Sequence, residues 1–66
     1  MDYRIEFERE DDGRWIAEIV DLPGVLAYGA TKQEAESRVQ AIALRVIADR
    51  LEREKTTMDR LQFAAA

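Results

Sequence analysis

The hydrophobic period of this chain changes once, and it changes abruptly between Gly29 and Thr31. Before that point apolar residues alternate with polar ones. Tyr3, Ile5 and Phe7 interleave with Arg4, Glu6 and Glu8, the period of two expected of a half-buried strand. Trp15 to Val20 continues the pattern. Glu18 falls on the face of Arg4, Glu6 and Glu8, so Trp15, Ala17 and Ile19 point to the core. Asp12-Gly13 between the two runs is a hairpin signal, since glycine accepts positive φ without a steric penalty. Asp21-Leu22-Pro23-Gly24 ends the second strand with a turn, and Val25 to Tyr28 predicts a short third strand closed by Gly29.

After the switch the period is helical. Thr31-Lys32-Gln33-Glu34 has the spacing of a capping box, with Thr31 accepting from the Glu34 amide and the Glu34 carboxylate reaching back to Thr31. A long helix is expected from about Lys32 to about Arg53, with Ala35, Val39, Ile42 and Val46 as its core stripe. Leu44, Ile47 and Leu51 lie round from that stripe and widen the apolar arc beyond one sheet contact. Residues 56–66 form either a C-terminal tail or, through Leu61-Gln62-Phe63, a fourth strand parallel to the first. The reading is a single α+β domain over residues 1–66, in the order β-β-β-α with a possible final β.

Sixty-six residues hold one marginal core, and small domains of this size usually add disulfides, a metal or a second subunit. Neither Cys nor His occurs. Disulfides and thiolate metal sites are thereby excluded, along with the commonest zinc ligand and the usual neutral-pH base. No metal or cofactor is expected, and homo-oligomerisation, most simply a homodimer, is the remaining route to stability. No signal peptide or apolar run of membrane-spanning length occurs, so the chain reads as cytoplasmic. Residues 1–36 carry ten acids against four bases and residues 37–66 six bases against four acids, leaving an acidic first half suited to a basic partner.

Asp21-Leu22-Pro23-Gly24, a short strand, then Gly29-Ala30-Thr31-Lys32-Gln33-Glu34-Ala35 resembles the HicB family of antitoxins, whose pattern is a D-L-P-G turn followed by G-x-T-x-x-E-A opening the helix. The resemblance runs from about Tyr3 to about Glu54. It implies a partial ribonuclease-H-like fold without nuclease activity. It also implies an antitoxin role, in which the domain binds and neutralises a small basic mRNA-cleaving toxin of the HicA type. Complete family members carry a C-terminal helix-turn-helix or ribbon-helix-helix domain, which residues 56–66 cannot hold, so no direct contact with nucleic acid is expected. Short solitary members also exist. A homo-oligomeric structural or regulatory protein with no toxin is therefore the alternative function.

Other chemistries fit less well. Glu6 and Glu8 alternate outward, and Glu10, Asp11 and Asp12 lie in a turn, which is not the convergent set a two-metal nuclease needs. Asp11-Asp12-Gly13-Arg14 lacks calcium-loop spacing. Ser37 sits mid-helix without a base, and Arg38, Arg45, Arg53 and Arg60 are interrupted by acids. An enzyme is not expected, and a small-molecule site between helix and sheet is a weaker third reading. The expected partner-binding residues are Glu10, Asp11, Asp12, Asp21 and Tyr28. The expected oligomer surface comprises Ile16, Val20, Leu26, Leu44, Ile47, Leu51, Leu61 and Phe63.

Overall fold

Each segment adopts the element its period specifies. The structure is a computed structural model that describes all residues, 1–66. Strand β1 (Asp2–Arg9) pairs antiparallel with β2 (Trp15–Ile19), and β2 pairs antiparallel with β3 (Leu26–Gly29). Helix α1 (Lys32–Glu54) then crosses one face, and β4 (Gln62–Ala65) returns parallel to β1. The sheet order is β3-β2-β1-β4. The chain is thus a β-β-β-α-β domain of the α+β class, and residues 62–65 of the tail form the fourth strand.

The turns follow from their residues. Gly13 has φ +91°, and the loop closes through the Glu10 N–H donating to Arg14 O at 2.7 Å. In the second turn Gly24 has φ +85° after Pro23, and the Val25 N–H donates to Leu22 O at 3.1 Å. Proline followed by a positive-φ glycine is the type II pattern. Leu22 is buried beneath this turn.

Gly29 joins β3 to the helix at a point where backbone meets backbone. A Cβ there would overlap the Ala35 amide nitrogen and lie 2.9 Å from the Glu34 carbonyl carbon. Thr31 is the N-cap, extended at φ −123° and ψ 161°, and its hydroxyl accepts from the Glu34 N–H at 3.1 Å. The reciprocal bond differs from the expectation: the Glu34 carboxylate accepts from Ala30 N at 3.0 Å, not from Thr31. The helix ends at Lys55 in the left-handed region, φ 54°, whose N–H donates to Leu51 O.

The buried stripe of α1 is Ala35, Val39, Ala43 and Ile47, every fourth residue. This corrects the expected stripe, because Ile42 and Val46 only flank the core while Ala43 and Ile47 occupy it. The reason is the size of the residues opposite. The helix packs against β2 and β3, whose inward residues include Ala17 and Ala27. Alanines on both surfaces allow close approach, leaving room for larger flanking side chains. Tyr3, Ile5, Ile19, Leu22 and Val25 complete the core, and no charged or polar residue is buried.

Candidate protein-binding face

Covering one side of the sheet with α1 leaves the other side open. Strand alternation places Arg4, Glu6 and Glu8 of β1, Ile16, Glu18 and Val20 at and after β2, and Leu26 and Tyr28 of β3 on that open side. The register then sets neighbours. Glu6 stands opposite Glu18, Glu8 opposite Ile16, Ile16 opposite Tyr28, and Glu18 opposite Leu26. The result is an acidic row along β1 and β2 bordered by an apolar strip toward β3. Glu6, Phe7, Glu8, Ile16 and Glu18 line a shallow depression of about 210 Å³ on this face, opposite the helix rather than between helix and sheet.

The three glutamates of this face have no ion-pair partner. The ion pairs of the chain are Arg4–Asp21 (3.2 Å), Arg14–Asp12 (2.7 Å), Arg38–Glu34 (3.3 Å) and Arg53–Asp49 (2.9 Å). None involves Glu6, Glu8 or Glu18. Like charges directly opposite on neighbouring strands oppose pairing. The three carboxylates are strung along the strands, and no group of three is placed to hold a metal ion.

The expected partner-binding residues do not form one site. Glu10, Asp11 and Asp12 lie in the β1–β2 turn, while Asp21 lies at the far end of β1 beside Arg4. Asp21 is engaged within the chain: it accepts from the Arg4 N–H at 2.8 Å and from the Arg4 guanidinium at 3.2 Å, which hold its carboxyl below the ordinary value. Asp12 is held likewise by the Arg14 N–H and then its guanidinium, at 3.0 and 2.7 Å, and its pKa is also lowered. Arg14 lies 4.8 Å from the centre of the Tyr28 ring, which ties Tyr28 to the turn. Glu10, half-buried, and Asp11, exposed, take no part in the ion pairs.

The expected oligomer surface divides as well. Ile16, Val20 and Leu26 lie on the open face, and Leu44 is 48% exposed on the helix. Ile47 is a correction: it is 5% exposed and belongs to this chain's own core, because the every-fourth-residue stripe brings it under the helix. Leu51, Leu61 and Phe63 are half-buried against the same core, and Phe63 pairs with Tyr3 across β1 and β4 at 6.1 Å between rings. Trp15, assigned to the core, is half-buried at its edge with Arg9 and Lys32 near its ring at 5.8 and 5.9 Å.

Alternation put Glu6, Glu8 and Glu18 on one face, but only the pairing register shows that two of them stand opposite each other. No protein-family model, curated protein or solved structure matches the chain.

Proposed function

We propose that this protein is a binding module whose open sheet face docks a basic protein, and that it acts as a HicB-like antitoxin neutralising a small basic mRNA-cleaving toxin of the HicA type. The observation that carries the reading is the row Glu6, Glu8 and Glu18, three carboxylates with no cation of their own beside the apolar residues Ile16, Leu26 and Tyr28. A partner presenting Lys or Arg would relieve the repulsion between Glu6 and Glu18, and the apolar strip would supply buried area beside it. The motif Gly29-Ala30-Thr31-Lys32-Gln33-Glu34-Ala35 behind Asp21-Leu22-Pro23-Gly24 supports the family reading. In that reading the protein works by occlusion in the cytoplasm, without catalysis of its own.

The test mixes the protein with a purified HicA-type toxin and follows cleavage of a labelled RNA. Protection at equimolar protein is expected. It should weaken at least tenfold in the Glu6→Gln, Glu8→Gln, Glu18→Gln triple variant and weaken with added salt, as steered association does. Undiminished cleavage in the presence of folded wild-type protein would sink the antitoxin reading. Full protection by the triple variant would move the docking site off the open face.

A further inference from the structure

The two edges of the sheet differ in a way that points to a second partner surface. At the β3 edge the Arg38 guanidinium donates to Tyr28 O at 2.9 Å, so a side chain already occupies an edge carbonyl. Arg14 lies over Tyr28 on the same strand. The β4 edge has no such guard. Gln62–Ala65 contains no charge, no proline and no bulge, the devices by which sheet edges are kept from pairing.

The ladder to β1 shows which β4 groups are free. The Gln62 N–H donates to Met1 O at 2.9 Å and the Ala66 N–H to Ile5 O at 2.8 Å. Amides alternate in direction along a strand, so the N–H and C=O groups of Phe63 and Ala65 point away from β1 to the open edge. The helix packs on β2 and β3 and carries an apolar flank on its other side. Arg38 leaves the helix toward β3, and at about 100° per residue Leu44 and Leu51 fall on the other flank, toward β1 and β4. Leu44 is 48% exposed there, and Leu51 is half-buried.

We propose that a second copy of this chain adds antiparallel to β4, making a two-fold dimer with a continuous eight-stranded sheet. Phe63 of each copy pairs with the partner's Ala65 about an axis at Ala64, and the exposed flanks carrying Leu44 close over the seam. The marginal core of a 66-residue chain without a disulfide argues for a second copy as the occupant, and charge selects the surface. Each chain carries a net charge of −4, so two copies repel wherever acids meet. The open face would bring Glu6, Glu8 and Glu18 against themselves and is not self-complementary, whereas β4 is neutral along its whole length. An isologous contact needs a patch that complements itself, and a neutral strand edge does so through its backbone alone. The surface is separate from the face assigned to the basic partner, so both contacts can form together.

Sedimentation equilibrium over a hundredfold concentration range tests this, with amide hydrogen exchange at low and high concentration. The expected result is a 15 kDa species, about twice the 7.6 kDa chain, with Phe63 and Ala65 amides protected only at high concentration. Ala65→Pro removes an outward donor while sparing the Gln62 and Ala66 bonds to β1, and proline is tolerated on an edge strand whose N–H faces solvent. It should give a folded monomer by circular dichroism. Should Ala65→Pro disturb folding, Leu44→Glu at an exposed helix position serves instead and should weaken association at least tenfold. Ile16→Glu should leave the dimer intact. A 7.6 kDa species throughout overturns the proposal. So does a dimer that survives in folded Ala65→Pro, that tolerates Leu44→Glu, or that dissociates in Ile16→Glu.

Discussion

Glu6 and Glu18 stand directly opposite each other on β1 and β2, on the face that α1 leaves open, and neither has a cation within ion-pair distance. A fold selected for stability alone would place a lysine at one of these positions. Glu18→Lys is therefore expected to raise stability by about 0.5–1 kcal/mol, the range of a favourable cross-strand pair set against a like-charged one. The gain should shrink in 1 M salt, where exposed charges are screened. Urea midpoints for both proteins at low and high salt check this. An unchanged midpoint at low salt would show that the two carboxylates avoid each other in solution.

Asp21 ties the start of β1 to the β2–β3 turn through the Arg4 backbone N–H and then the Arg4 guanidinium. These contacts lower its pKa in the folded protein. Between the folded and the unfolded value the unfolded chain binds more protons, so stability rises with pH in that window. The contribution is complete above the unfolded carboxyl value of about 4 and is lost as pH falls through the lower, folded value. Wild type should therefore lose more stability than Asp21→Asn between pH 5 and pH 2. Asp12, lowered by Arg14, adds to the same trend. Parallel loss in the two proteins, followed by circular dichroism during urea titrations, would show that the clasp contributes nothing.

Much of this architecture was legible because period and turn chemistry agree. Tyr3, Ile5, Phe7, Ala17 and Ile19 face inward as alternation requires, and Gly13 and Gly24 take positive φ where the turns need it. The helix begins at Lys32, one residue after the Thr31 cap. The helix stripe was less legible because alanine carries little weight in a periodicity argument. Ala43 is not in the stripe that the large apolar residues suggest, yet its smallness puts it at the close contact with the sheet, and this rotates Ile47 inward. The opposition of Glu6 and Glu18 within the acidic face was not legible for another reason. Alternation assigns faces, but the pairing of Glu6 with Glu18 depends on the length of the Glu10–Arg14 loop, which sets the register.

The join between β3 and α1 offers a sharper test, because two neighbouring positions act by different physics. Thr31→Ala removes one cap acceptor and is expected to cost about 1 kcal/mol. Gly29→Ala forces a methyl group into the first helical turn at Ala35 and Glu34, where only backbone can yield. Its cost should be about 1–3 kcal/mol, the range of overpacking, and larger than that of the cap. Chemical unfolding of the two variants decides the order. Gly29→Ala as mild as a surface change would mean that the strand and helix can separate freely at this point.

Ile47 and Leu44 lie three residues apart on α1, and a sequence reading groups them on one surface, but they face different surroundings. Ile47 is 5% exposed within the core, whereas Leu44 is 48% exposed. Truncating Ile47 to alanine removes buried methyl groups and leaves a cavity beneath the helix, so a loss of about 2–5 kcal/mol is expected. Against the marginal stability of a domain this small, that loss should leave much of the variant unfolded at 37 °C. Leu44→Ala should change the stability of dilute protein by less than about 0.5 kcal/mol, as surface substitutions usually do. At high concentration the same variant should lose stability relative to wild type, because any contact that Leu44 makes across the β4 seam exists only in the associated form. Urea unfolding at two protein concentrations separates these effects. Equal, concentration-independent losses for the two variants would mean that both side chains are buried within one chain.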